Sequence, residues 1–416
     1  MKKLFQNKKV VIMGLGLHGG GVGVAKFFLS QGANVLVTDL KTKTQLKESL
    51  NKICARPSQA RPSLVFVLGK HREEDFREAD LIIKNADVPS SSPFLKIARE
   101  NNIPIKSDIQ LFFELCPAEI IGITGTKGKS TVATLIAELL KEKYQTILAG
   151  NIGVSPLEFL ADLNKESKVV LELSSFILED LQKSPHVAVI TNLFPDHLNR
   201  YKDFNHYVEA KKNIFKYQEK NDFLVLNKDL KMIANEANSK VIFFDGENNS
   251  ATIAVAKIFN IPDKNIQKVI VNFKGVPHRQ EFITDKKGVK YFNDTAATNP
   301  GAVKYALEKF KKDYPRIILI AGGENKKLNY RALSEDIEKS ATYLVLLPGS
   351  ASELIKRDLK KFSVYEVKSM KMAVKKASEL AEKGDVVLLS PGAASFNLFK
   401  NEFDRGNQFI KAVKGL

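Results

Sequence analysis

Apolar and polar positions follow a recurring order along this chain: a short β-branched run, a glycine-rich stop, then apolar residues three or four apart. Val10–Met13 runs into Gly14-Leu15-Gly16-Leu17-His18-Gly19, after which Val24, Phe27 and Phe28 fall at helical spacing. Glu119–Thr124 runs into Gly125-Thr126-Lys127-Gly128-Lys129-Ser130-Thr131, and a helical pattern follows from Val132 to Leu140. Ile317–Ile320 leads to Gly322-Gly323 in the same way. Continuous apolar runs of this length predict strands buried on both faces, and therefore parallel sheets covered by helices. Further strands are expected at 34–39, 64–68 and 81–83, then at 146–148, 168–173, 188–191 and 223–226. A third group falls at 289–293, 343–347 and 386–389, with helices near 93–100, 205–217 and 251–259. The pattern defines an α/β protein of three strand–glycine-loop–helix units. Their expected bounds are 1–108, 109–275 and 276–416.

Composition narrows the classes. The 416 residues are 44% hydrophobic, enough to give each unit a core. No apolar run approaches the ~18–20 residues of a membrane span, and the N-terminal lysines lead directly into a strand. A cytoplasmic protein without membrane insertion is expected. Cys54 and Cys116 lie too far apart in sequence to suggest a zinc site, and two cysteines suggest no disulfide framework. The formal net charge of +17 raises nucleic acid as a partner. Yet the lysines are dispersed over helix faces (Lys304, Lys309, Lys311 and Lys312; Lys371, Lys375 and Lys376), often with Glu nearby, and form no continuous basic stripe. Small polyanions are the better match, and no nucleic-acid partner is expected.

The chemistry concentrates behind the strands. In 125–131, glycines bring backbone N–H groups close to a phosphate at a helix N-terminus; Lys129 adds a point charge and Ser130 a Mg²⁺ ligand. The spacing is a variant, because Ile123 stands where the first glycine of a P-loop usually falls. An ATP site is the reading. Gly14–Gly19 with Asp39 about 20 residues on matches a dinucleotide fingerprint, and alone suggests a nicotinamide cofactor. Glu172 ends an apolar strand beside the ATP loop, where a carboxylate can hold Mg²⁺. Asp196-His197 also follows a strand, suited to metal or phosphate contact. Nothing local separates Lys211 from a surface lysine.

In this order the motifs resemble the Mur ligase family, ATP-dependent amide-forming enzymes of peptidoglycan precursor synthesis, and within it the MurD type. The resemblance covers nearly the whole chain, through Gly14–Gly19, Gly125–Thr131, Asn151–Gly153, Glu172–Phe176, Asp196-His197, Lys211, His278-Arg279, Asn293-Asp294, Gly322-Gly323 and Leu389–Phe396. It implies a Rossmann-like first domain for the UDP-muramoyl substrate, a central P-loop domain for ATP and a C-terminal Rossmann-like domain for the incoming amino acid. It turns the first loop from nicotinamide to uridine diphosphate, held by Leu15, Gly16, His18 and Asp39, with Asn151 on the muramoyl part. It implies that Asn249, Arg279 and Asp294 join the 125–131 loop on ATP. Lys326, Ser390 and Phe396 would grip glutamate, and His278 would be an orienting residue near the linker. Two Mg²⁺ are implied, on Ser130, Glu172, His197 and a carbamylated Lys211, with Lys129, Glu172, His197 and Lys211 as the catalytic set. The implied reaction joins D-glutamate to UDP-N-acetylmuramoyl-L-alanine through an acyl phosphate, in a monomeric enzyme.

Some segments depart from the family. The motif usually written Asn-Asp-Ser-Lys-Ala-Thr-Asn is here Asn293-Asp294-Thr295-Ala296-Ala297-Thr298-Asn299. Ala296 removes a cation from an anion site, and leaves L-glutamate as an alternative to the D-isomer. The stretch from Phe244 to Val271 is shorter than usual, and Lys84–Pro89 lacks the usual Pro-Gly. A folylpolyglutamate-type or other Mur ligase is the rival within the class, and a nicotinamide-dependent dehydrogenase the rival outside it.

Overall fold

Three sheets form from the apolar runs in the computed structural model, which describes residues 3–17, 19–54, 63–197, 200–326, 328–395 and 398–416. The chain divides into two compact units, residues 1–272 and 273–416.

The first unit contains two parallel sheets. One is built from β1 (Lys9–Met13), β2 (Asn34–Asp39), β3 (Leu64–Leu68), β4 (Leu81–Lys84) and β5 (Ile105–Lys106), in the order β3-β2-β1-β4-β5. The other uses β6 (Glu119–Thr124), β7 (Thr146–Gly150), β8 (Lys168–Glu172), β9 (Val187–Ile190), β10 (Phe223–Asn227) and β11 (Lys240–Phe244), ordered β11-β10-β9-β6-β8-β7. In both sheets the chain switches direction around the strand that precedes the glycine loop. Ligands of open α/β sheets bind at such switch points, beyond the carboxyl ends of the strands. Parallel register brings Ile123 and Gly150 level with Glu172, so the acid and the 125–128 loop share one edge. One apolar cluster runs from Val10, Ile12 and Phe28 through Ile109 and Phe112 to Leu171, Ile190 and Leu226, so the two sheets share a core. The linking helix Asp108–Leu115 is fixed by a capping box: Ser107 Oγ accepts from Gln110 N, and Gln110 Oε1 from Ser107 N.

The second unit is a mixed sheet of β12 (Glu281–Lys286), β13 (Val289–Asn293), β14 (Ile317–Ala321), β15 (Tyr343–Leu346), β16 (Val364–Glu366) and β17 (Val386–Leu389). Its order is β12-β13-β17-β14-β15-β16, with only β12 antiparallel. β5, β11, β16 and β12, the outer strand of the β12–β13 hairpin, are the strands that the apolar pattern does not announce. They lie at sheet edges, where polar residues such as Thr284, Asp285 and Lys286 are tolerated. Lys287 and Gly288, both at positive φ (54° and 80°), close the hairpin in the manner of a type I′ turn. The helix carrying Lys211 spans Phe204–Lys212, shorter than the 205–217 read from the sequence. Asp203 caps its start, and the Asn213 side chain turns away to donate to Leu178 O at 2.9 Å.

Candidate active site

The loop after β6 depends on two glycines. Gly125 has φ 141°, and a Cβ there would lie 1.9 Å from Thr191 Oγ1. Gly128 caps the helix Lys129–Lys141 in the left-handed conformation, and a Cβ would meet Asn248 Oδ1 at 2.5 Å. The segment after β9 holds the loop from outside. Thr126 N donates to Asn192 O (2.9 Å), Lys127 N to Asn192 Oδ1 (2.8 Å), and Thr191 Oγ1 to Lys127 O (2.6 Å). Thr131 lies in the first helical turn. The loop backbone is therefore set before a phosphate arrives, which is the requirement of a preorganised anion site.

Lys129 folds over this loop, its Nζ donating to Gly125 O (3.0 Å) and Thr126 O (3.1 Å). Ser130 Oγ donates to Glu172 Oε2 at 2.5 Å, and Asn151 Nδ2 to Glu172 Oε1 at 3.0 Å. Hydroxyl and carboxylate thus meet at one buried point, a pair of oxygen donors of the kind Mg²⁺ takes. Among the described residues no three His, Cys, Asp or Glu side chains cluster as a metal cage. A Mg²⁺ that keeps several waters needs no such cage.

Lys211 is 2% exposed. Its Nζ donates to Thr124 Oγ1 (3.1 Å) and Gly125 O (3.0 Å), and lies 4.9 Å from the Tyr207 ring centroid. Burial, then the Lys129 charge, hold this amine well below the ordinary lysine range, against Asp196 and Glu172. His197 occupies the left-handed region (φ 54°) and packs edge-on to Phe176 at 4.8 Å. Burial lowers its pKa first, Asp196 opposes, and Lys211, Lys129 and Lys127 add to the lowering. A neutral imidazole suits metal or phosphate-oxygen contact.

In the first sheet, Leu15 buries its side chain and gives its amide to Asp39. Asp39 Oδ2 accepts from Leu15 N (2.9 Å) and Gly16 N (3.1 Å), while Oδ1 accepts from Lys41 N (2.8 Å). The acid therefore organises the Gly14–Gly19 loop. His18 and Phe396 lie outside the described residues.

The second unit holds the other candidates. Asp294 accepts from Gln280 N (3.2 Å) and from Ser390 Oγ (2.9 Å), so the fully buried Ser390 has its hydroxyl directed to Asp294. Lys326 Nζ donates to Thr298 Oγ1 at 3.0 Å. Arg279 is exposed, and Asn293 Nδ2 stands 3.0 Å from His278 Nδ1. Burial lowers the His278 pKa.

Sequence reasoning missed several positions. Asn248 is the side chain that meets Gly128, whereas Asn249 is exposed at the next helical position. Thr191 and Asn192 carry the loop, and only their place after a strand could have marked them. Arg405, fully buried, donates to Thr295 Oγ1, Thr295 O and Ala393 O, each at 3.0 Å. Burial lowers its pKa to about 10. It joins the 293–299 turn to the 390–395 turn; an arginine on an otherwise apolar helix face was the available signal.

Strand, glycine loop and helix N-terminus, with an acid at the end of the adjacent strand, define a mononucleotide-binding protein of the P-loop class. Three family descriptions match the chain: Mur ligase MurD-like, N-terminal domain over residues 8–107, Mur ligase middle domain over 123–281, and Mur ligase, glutamate ligase domain over 278–392. The chain belongs to the Mur ligase family, in its MurD-type branch. The UDP-N-acetylmuramoylalanine–D-glutamate ligase of Roseiflexus sp. (strain RS-1) is 37% identical, over 98% of this chain and 98% of its own length. That of Borreliella burgdorferi (strain ZS7) is 36% identical, over 99% and 98%. Two Thermotoga maritima structures share the fold. UDP-N-acetylmuramate–alanine ligase MurC has TM-score 0.62 at 18% identity, covering 98% of this chain and 100% of its own. MurF ligase in complex with ADP has TM-score 0.58 at 18% identity, covering 100% and 97%.

Proposed function

We propose that this chain is an ATP-dependent ligase that adds D-glutamate to UDP-N-acetylmuramoyl-L-alanine in peptidoglycan precursor synthesis. Relatives of that name align along its full length, and the site has the donors this chemistry needs. The substrate carboxylate attacks the γ-phosphorus of ATP and ADP leaves. The glutamate amine then attacks the acyl carbon, and phosphate leaves from the tetrahedral intermediate as the amine loses its proton. Lys129 and the 125–128 amides hold the phosphates in line. Arg279, Asp294 and, in place of the exposed Asn249, Asn248 complete the nucleotide contacts. Asp39 shapes the loop that receives the UDP part, and Asn151 keeps Glu172 in place beside the muramoyl end. Lys326 and the turn at Ser390 receive the glutamate. We assign residues 1–108 to the UDP substrate, 109–275 to ATP and 276–416 to glutamate.

Ser130, Glu172, His197 and a carbamylated Lys211 would hold Mg²⁺, which supplies charge neutralisation on the transferring phosphoryl group when bound. The observation that carries the reading is Lys211. Burial against the ATP loop drives this amine well below the ordinary lysine range, toward the neutral form that adds CO₂, losing a proton to become an anionic oxygen ligand. Cytoplasmic location follows from the substrates; no described helix is long and apolar enough to cross a membrane. We take the enzyme to be a monomer.

Phosphate release and product mass, measured with ATP, Mg²⁺, UDP-N-acetylmuramoyl-L-alanine and each glutamate isomer, test this directly. Turnover with D-glutamate is the expected result. Turnover with L-glutamate alone would transfer the reading to the other isomer, and turnover with neither would overturn it. Lys211→Ala should lose activity and recover part of it with added short carboxylic acids.

A further inference from the structure

The segment after β4 lies between two loops that the proposed reaction uses for different ligands. Asn85 stands against Gly14: a Cβ on that glycine would meet Asn85 Cβ at 2.9 Å, and Asn85 Nδ2 donates to Gly14 O at 3.5 Å. The segment is fastened at both ends to one acid. Lys84 Nζ reaches Asp180 Oδ2 at 2.5 Å, and Ser90 Oγ donates to Asp180 Oδ1 at 3.3 Å.

Between these anchors, Ala86 O accepts from Arg200 Nη2 at 3.4 Å. The same nitrogen donates to Glu179 Oε2 at 3.1 Å, and the guanidinium carbon lies 4.0 Å from the Phe176 ring centroid. Phe176 is also the ring that packs against His197. Arg200 N donates to His197 O at 2.9 Å, and His197 itself takes a left-handed backbone. The Arg200 side chain therefore links the neighbour of the first glycine loop to the ring that packs on His197, and its backbone amide holds the His197 carbonyl.

We propose that Arg200 is a positioning residue that couples occupancy of the Gly14–Gly19 loop to the placement of His197 beside the ATP loop. A ligand on the first loop presses on Gly14 and Asn85, and the Ala86 carbonyl moves with Asn85. The planar guanidinium is held by Glu179 and by the ring face, so it transmits that displacement as a unit. A non-glycine residue in the left-handed region is retained only by its surroundings, which makes His197 responsive to a small shift. The inference rests on the reading of the first loop as the UDP-substrate site and the second as the nucleotide site. Coupling of this kind is reciprocal between the two ligands.

Titration calorimetry on the full chain tests it, with UDP-N-acetylmuramoyl-L-alanine and Mg·ADP as probes, each measured with and without the other. In wild type, saturation with one should change the affinity for the other by about fivefold or more. Arg200→Met should reduce that factor below about twofold, while leaving each ligand's own affinity within about threefold. Arg200→Lys should lie between, since an ammonium can reach an acceptor but lacks the planar face that stacks on Phe176. If Arg200→Met does not fold, Glu179→Gln removes the charge that aims the guanidinium and should show the same loss of coupling. An unchanged factor in the variants, or independent binding in wild type, overturns the role of Arg200. Failure of wild type to bind the UDP substrate at all overturns the reading of the first loop, and the coupling with it.

Discussion

Lys211 carries a consequence for stability against pH. Its folded-state pKa lies far below that of an unfolded lysine, near 10.4. Between those values the unfolded chain binds one proton more than the folded chain, so stability rises with pH through that window. Below the window the folded state too must carry the charge in a buried place. Lys211→Met should therefore raise the melting temperature at pH 7 in CO₂-free, metal-free buffer, with an advantage that shrinks as pH approaches 10. Calorimetric scans at pH 7 and pH 9.5 check the sign; a variant less stable than wild type at pH 7 would refute the neutral, desolvated amine. At the adjacent loop, Asn248→Ala should raise KM for ATP about tenfold, and Asn249→Ala less than twofold, in steady-state assays. That roughly 1.4 kcal/mol is what one hydrogen bond near a charged ligand contributes. Individual residues were legible where backbone chemistry selects a residue type, as at Gly125, Gly128 and Ser130. Asn248 could not be told from Asn249, because only the phase of the helix decides which one meets Gly128. Lys211 was indistinguishable from its neighbour Lys212, which pairs with Glu209 and Glu236 on the surface.

Among elements, the strand–loop–helix at 119–141 is the most constrained. Gly128→Ala should fold with little loss yet weaken nucleotide binding by at least tenfold, since the new methyl drives Asn248 away and the left-handed φ of 83° resists a side chain. Fluorescent-nucleotide titration measures it, and unchanged affinity would show that the loop tolerates displacement. The parallel central strands were readable because both faces are buried and their apolar runs are unbroken. Edge strands β5, β11, β12 and β16 escaped because an edge position tolerates polar residues and makes the run short. The helix over Lys211 ends at Lys212, where the Asn213 side chain reaches Leu178 O, a tertiary contact without a local pattern.

At the scale of the molecule, the candidate residues fall on two units. Phosphate loop, carboxylate and buried lysine belong to residues 1–272; Asp294, Lys326, Ser390 and Arg405 belong to residues 273–416. Each unit has its own apolar core. A fragment of residues 1–272 should unfold cooperatively and bind UDP-N-acetylmuramoyl-L-alanine, yet form no amide bond. Circular dichroism and calorimetry on the fragment check this, and absence of a cooperative transition would show that the cores depend on each other.

Asp39 carries a consequence for kinetics. Its two oxygens already satisfy the amides of Leu15, Gly16 and Lys41, so the first turn of the loop is closed before any ligand arrives. A diphosphate at the proposed UDP loop would then encounter no acid seeking a ribose hydroxyl as in a nicotinamide site. Association at this end of the molecule should accordingly be a single fast phase whose observed rate climbs linearly with ligand concentration, without the plateau of a loop that must first rearrange.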